Sequence, residues 1–190
     1  MTSPCHVLLV SGSLRRGSTN TALLRTVEAI APEGIQTVLY DGLDGLPHFD
    51  PDRDRDPLHP TAAELRATIR ASDAILFCTP EYAGALPGSF KNLLDWAIGD
   101  GHVGSIYNKP VAWINASASP TGAADAHDSL RKVLDYAHAG VVDDACVSIP
   151  VGRQMIDEGG LIAELQVHAQ ILGALTTLIA HTTCFDQGTR

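Results

Sequence analysis

Hydroxyls, glycines and arginines crowd one short stretch of the chain: Ser11-Gly12-Ser13-Leu14-Arg15-Arg16-Gly17-Ser18-Thr19-Asn20. The apolar run Val7–Val10 stops abruptly at this stretch, and Leu23, Leu24, Val27, Ile30 and Ala31 recur at helical spacing behind it. That pattern reads as a buried strand, a tight loop and a helix N-terminus. Such a loop presents unpaired backbone N–H groups and the positive end of a helix dipole to whatever sits above the strand. With several hydroxyl donors and Arg15 added, the natural guest is a phosphate dianion. The loop lacks G-x-x-x-x-G-K-[ST], which argues against a nucleoside triphosphate, and lacks G-x-G-x-x-G, which argues against a pyrophosphate lying on bare backbone. Ser11, Ser13, Ser18 and Thr19 suit a terminal phosphate monoester. A Ser-rich turn ahead of a capped helix is the alternative that the loop alone leaves open.

The elements that must position this loop alternate along the chain. Further β-rich runs fall at Ile35–Tyr40, Ala74–Thr79, Val111–Asn115 and Ala145–Ile149. Helical patterns cover Asn20–Ala31, Thr61–Arg70 with Pro60 at its start, Ser89–Ile98, Ala124–Ala139 and Leu161–Ala180. The fourth helix shows Leu130, Val133, Leu134 and Ala137 on one face. The fifth shows Leu161, Leu165, Leu172, Leu175 and Ile179, with His168 expected to be a packed residue rather than a ligand. Five strands joined by helices predict an α/β three-layer sandwich, its parallel sheet covered on both sides. The expected strand order is 2-1-3-4-5, with ligands at the carboxyl edge where strands 1 and 3 diverge. The loops after strands 1, 3 and 4 should then converge. Two prolines and two glycines fix the path of Thr79–Ser89, and small residues at 83 to 85 let something flat approach the backbone. Ser117–Ala124 is again small and polar. Together the three loops suit a phosphorylated planar molecule.

Composition sets the outer limits. The chain has 190 residues, 45% of them hydrophobic, which fits a single domain over residues 1–190 with a sizeable core. A formal charge of −9 disfavours nucleic acid and anionic membrane as partners, so an anionic ligand needs local positive charge from Arg15 and Arg16. Cys5, Cys78, Cys146 and Cys184 form no C-x-x-C pair, and Cys78 and Cys146 sit in apolar runs as small core residues, a reducing-compartment pattern. The eight histidines form no H-x-x-x-H pair, so no metal site is expected. With no signal-like or membrane-length apolar segment, the expected location is cytoplasmic. The long connection Asp41–His59, with its mixed charges between Pro51 and Pro57, reads as solvated surface in preference to an arm reaching the site or a partner subunit.

The chain resembles the NADPH-dependent FMN reductase family of the flavodoxin-like fold, which includes quinone, azo-dye and chromate reductases. The resemblance is carried by Gly12-Ser13-Leu14-Arg15…Ser18…Asn20, Pro80-Glu81-Tyr82 and Pro87-Gly88…Lys91-Asn92…Asp95-Trp96, in the family's order through nearly the whole chain. It implies FMN and NADPH as cofactors and no catalytic acid or base. It implies an FMN phosphate on Ser11, Ser13, Arg15, Ser18, Thr19 and Asn20. The isoalloxazine would lie against Pro80, Glu81, Tyr82 and Ala83, flanked by Ser117, Ala118 and Ser119. It further implies a small-molecule electron acceptor and a homodimer or homotetramer with the flavin near the subunit interface. The chain departs from the pattern at Ala83, where many relatives have Asn, and at Pro120 with a single Gly122, where many are richer in glycine. A flavodoxin-type electron carrier is the rival reading; Ser117–Ala124 lacks the aromatic such a carrier would stack on the ring. A low-molecular-weight phosphatase would need a thiolate in the first loop, where Ser11 and Ser13 stand instead. A receiver domain would need an acidic pair at the end of strand 1, which is absent.

Overall fold

A computed structural model describes residues 4–98 and 105–183 of the chain; Cys184 lies outside them. The strands are β1 (Cys5–Ser11), β2 (Ile35–Tyr40), β3 (Ala74–Cys78), β4 (Pro110–Asn115), β5 (Gly140–Val141) and β6 (Val147–Ser148). The longer helices are α1 (Thr19–Ile30), α2 (Pro60–Ala71), α3 (Gly88–Ile98), α4 (Ala124–Tyr136) and α5 (Leu165–Ile179). The sheet is parallel with order β2-β1-β3-β4-β5, β6 pairing with the far end of β4. This is the flavodoxin-like arrangement expected from the sequence.

Strand alternation sends successive side chains to two cores. Val7 and Leu9 of β1 and Leu76 of β3 pack with α1 and α5, through Leu23, Val27, Ile171 and Leu175. Leu8, Val10 and Phe77 pack on the other face with α2, α3 and α4, through Leu65, Leu93 and Leu130. Both faces being covered explains why the central strands read as unbroken apolar runs.

Three boundaries differ from expectation. The fifth strand is not one run at Ala145–Ile149. β5 pairs with the start of β4 and β6 with its end, while Asp143–Ala145 makes a 3₁₀ turn between them. Asp143, on that turn, pairs at the surface with Arg131 of α4, whose guanidinium approaches it at 2.5 Å. The fourth helix stops at Tyr136 instead of Ala139 because His138 takes a left-handed φ of 51°. His138 N–H then bonds Asp135 O at 3.1 Å and Ala139 N–H bonds Leu134 O at 3.0 Å, a Schellman closure without the glycine that usually announces it. The fifth helix starts at Leu165, not Leu161, because Ile162 pairs with Ile156 in an antiparallel bridge. Its buried face is Val167, Ile171, Ala174, Leu175, Leu178 and Ile179, and Leu165 is 80% exposed.

The connection Asp41–His59 is fastened down, not merely solvated. Asn92 Nδ2–H and Trp96 Nε1–H both donate to Pro47 O at 2.9 Å, and Phe49 N–H donates to Asn92 Oδ1 at 2.7 Å. Arg66 of α2, 5% exposed, reaches Asp54 at 2.7 Å and Trp96 O at 2.9 Å. Asn92 and Trp96, two residues by which the chain resembles its family, are thus anchors for this loop. Lys91 and Asp95 form a surface pair at 2.5 Å on the same helix.

Candidate functional site

At the carboxyl edge of the sheet, β1 and β3 are so close that the loop between them and the first helix needs a glycine. A Cβ on Gly12 would stand 2.7 Å from Thr79 Cβ and 3.0 Å from the Phe90 ring. Past Gly12, the chain turns through Gly17 (φ 67°) into α1, which Ser18 caps by accepting from Thr21 N–H at 3.4 Å. Ser11 is buried and its hydroxyl is shared with Thr21 Oγ1 at 2.8 Å while accepting from Ser13 N–H at 3.3 Å. Ser13 Oγ in turn accepts from Arg15 N–H at 3.3 Å. Ser11 and Ser18 therefore brace the loop from inside. Arg15 and Arg16 are exposed at its tip. Thr19 and Asn20 open into a crevice of about 320 Å³. Asn20 Oδ1 accepts from the Cys78 thiol at 3.3 Å, and burial pushes that thiol far above its ordinary pKa, so Cys78 stays neutral.

Two other loops complete the crevice. Thr79, Pro80 and Glu81 line it after β3; Ala116, Ser117, Ala118, Ser119 and Ala123 line it after β4; Val151 closes it from the segment beyond β6. Tyr82 and Ala83 do not line it. They stand on an exposed turn, Tyr82 being 53% exposed, in which Tyr82 and Ala85 exchange two 3.1 Å hydrogen bonds across Ala83 (φ 52°) and Gly84 (φ 68°). The loop after β4 folds on its own polar groups. Ser117 and Ser119 hydroxyls meet at 2.9 Å, Ser117 N–H donates to Asn115 Oδ1 at 3.0 Å, and Asn115 Nδ2–H donates to Gly122 O.

Two titratable groups bear on the crevice, Glu81 in its wall and His127 behind it. Glu81 Oε2 accepts from Ala126 N–H at 3.1 Å, which places its carboxylate on the N-terminus of α4. His127 is 7% exposed and its Nδ1 lies 2.8 Å from Ala123 O. A carbonyl only accepts, so Nδ1 carries the proton and the buried Nε2, which has no partner, is the bare nitrogen. Burial holds the His127 pKa below its ordinary value despite the Ala123 carbonyl and the nearby Glu81 and Asp128 carboxylates. Among the described residues no group of His, Cys, Asp and Glu could hold a metal ion, and no helix is long and apolar enough to cross a membrane.

Thr79 and Ala123 belong to the loops that the sequence pointed to but not to the residues singled out in them, and Ala116 and Val151 lie outside those loops. Ala116 directly follows β4 and could have been found by extending that loop to its strand. Val151 carried no local signal, because its place depends on how the chain returns after β6.

A parallel α/β sheet with a hydroxyl-bearing helix N-terminus and two small-residue loops at one carboxyl-edge crevice has the shape and donors that suit a phosphorylated, flat ligand. The NADPH-dependent FMN reductase family model matches residues 5–154. An NAD(P)H-dependent FMN reductase of Pseudomonas aeruginosa is 34% identical, over 86% of this chain and 88% of that protein. A probable NADPH:quinone oxidoreductase 2 of Oryza sativa subsp. japonica is 36% identical, over 75% of this chain and 68% of that protein. Among solved structures, the flavoenzyme NAD(P)H:(acceptor) oxidoreductase FerB from Paracoccus denitrificans superposes with a TM-score of 0.75 at 27% identity, covering 94% of this chain and 99% of that one. The chain belongs to the NADPH-dependent FMN reductase family and is an oxidoreductase that works with FMN and NAD(P)H.

Proposed function

We propose that the chain takes hydride from NADPH onto FMN held in the carboxyl-edge crevice and passes the electrons to a small acceptor such as a flavin, quinone, azo compound or metal oxyanion. The supporting observation is that the first turn of α1 and the small-residue loops after β3 and β4 open into one crevice. The donor set fits the group. Apart from Thr21 N–H, which Ser18 caps, the first-turn N–H groups of α1 have no intrahelical partner; Thr19 and Asn20 open into the crevice, and Ser13 and Arg15 stand in the loop just before the helix as further donors for a phosphate. Ser117, Ala118 and Ser119 leave the flank beside Pro80 and Glu81 free of large side chains. FMN supplies the redox chemistry. The protein's own share is to hold the phosphate, orient the ring and leave room above it for each substrate.

The opening of all three carboxyl-edge loops into a common crevice favours a shared site, entered in turn by NADPH and acceptor, hence ping-pong kinetics. Exposed Leu14 and Tyr82 beside the crevice suit a homodimer or homotetramer with the flavin near the interface. Titration of apo-protein with FMN and riboflavin tests the phosphate assignment. FMN should bind about tenfold or more tightly, given about 1.5–3 kcal/mol per charge-assisted hydrogen bond. Equal affinities would overturn it. Intersecting rather than parallel double-reciprocal lines would overturn the shared site.

A further inference from the structure

We propose that Glu81 is a positioning residue that sets the spacing between the two ring-side walls of the crevice; this rests on the flavin reading above. One wall, Pro80 and Glu81, follows β3. The other, Ser117 to Ser119 and Ala123, leads into α4. The two walls belong to different crossovers, so their separation needs a tie of its own. Glu81 supplies one: its Oε2 accepts from Ala126 N–H at 3.1 Å, in the first turn of α4.

The helix is built to receive that carboxylate. Its N-cap is Ala123, which has no side-chain oxygen and makes no capping bond of its own. Ala123 also takes a left-handed backbone, φ 52° and ψ 37°, where an N-cap residue is ordinarily extended. An orphan donor of α4 is thus satisfied from across the crevice instead of from its own chain. A carboxylate at a helix N-terminus is held by both the hydrogen bond and the dipole. The turn beyond Glu81 stands against the same helix end, since a Cβ on Gly84 would lie 3.7 Å from Asp125 Oδ2. Glu81 lines the crevice, yet its carboxylate oxygen is committed to α4. Its task is to hold the distance that a flat ring must fit.

Three forms of the full chain test this: wild type, Glu81→Gln and Glu81→Ala. Glutamine keeps an acceptor oxygen at the same reach, whereas alanine has none. Without flavin, the Ala126 amide should exchange about tenfold faster in Glu81→Ala and near the wild-type rate in Glu81→Gln. With FMN, Glu81→Ala should bind roughly tenfold more weakly and show altered visible circular dichroism of the bound ring, with Glu81→Gln restoring both. An unchanged ring spectrum and affinity in Glu81→Ala, with Ala126 unprotected, would make the tie merely structural and overturn the proposal. So would a Glu81→Gln variant that behaves like Glu81→Ala. Wild-type protein that takes up no FMN would instead overturn the flavin reading beneath it.

Discussion

Two turns at the mouth of the crevice solve the same backbone problem by different means. Tyr82–Ala85 places Ala83 and Gly84 at φ 52° and 68°; Thr121–Ala124 places Gly122 and Ala123 at φ 60° and 52°. Each turn therefore has both central residues left-handed, one of them an alanine that pays for its Cβ. The first is exposed and closed by its own pair of backbone bonds. The second is closed by one such bond, from Ala124 N–H to Thr121 O at 3.2 Å, and Ala123 is buried. It is held from outside. Asn115 donates to Gly122 O, while His127 meets Ala123 O with both its ring and its backbone N–H. An exposed turn is governed by its own conformational cost. A buried one is governed by its partners.

If that contrast is right, the largest effect comes from the partners of the second turn. Asn115→Ala removes the bonds to Gly122 O and from Ser117 N–H together. At about 1 kcal/mol for each bond, and more if the Gly122 carbonyl is left dry, the expected loss of unfolding free energy is about 2–3 kcal/mol. Urea unfolding of wild type and variant measures it. A loss below about 0.5 kcal/mol would mean that the turn does not depend on Asn115.

His127→Gln comes next, with an expected loss near neutral pH of about 1 kcal/mol for the Nδ1–H bond to Ala123 O. Its sharper signature is in acid. The folded protein holds the His127 pKa below the ordinary 6.5, so the unfolded chain binds the proton first. The stability that a neutral, buried His127 contributes is present above pH 6.5 and is lost as pH falls from there through the folded value. Glutamine has no such proton. The stability difference between wild type and variant should therefore narrow as pH drops below 6.5. Parallel pH profiles would show that His127 is not kept neutral by the fold.

These two turns also show what was legible beforehand. The order of strands, the convergence of three loops and the hydroxyl-rich turn before α1 all follow from periodicity and local residue chemistry, and all are seen. Small residues at 83 to 85 read in the sequence as room for a flat ligand; the structure adds a separate feature, that Ala83 and Gly84 are both left-handed. His127 and Asn115 could not be singled out. Each matters through a contact made on folding, one four residues away across a helix turn and one seven residues away across a loop. The split of the last strand and the early end of α4 were hidden for the same reason, since they turn on the 3₁₀ turn at Asp143–Ala145 and on a left-handed His138. For Ser11 and Ser18 a hydroxyl's type is visible in a sequence, while the internal bonds it makes to Thr21, Ser13 N–H and Thr21 N–H are not.

The smallest expected effect has the opposite sign. Ala83 and Gly84 are both left-handed, and that geometry has its own residue preference. A turn with two left-handed central residues favours Asn-Gly above other pairs, because Asn tolerates positive φ where Ala does not. Ala83→Asn should accordingly stabilise the protein, by about 0.5 kcal/mol, since the site is exposed and the new side chain meets solvent. The matching change in the second turn, Ala123→Asn, should destabilise instead. Ala123 is 4% exposed, lines the crevice and lies under His127, so a larger polar side chain must be buried there. Thermal unfolding of the two variants side by side reads the contrast directly. Opposite signs support a division between intrinsic cost in one turn and tertiary support in the other. Two stabilised variants would show that backbone strain governs both turns, and two destabilised ones that Ala83 is held by a contact as firmly as Ala123 is.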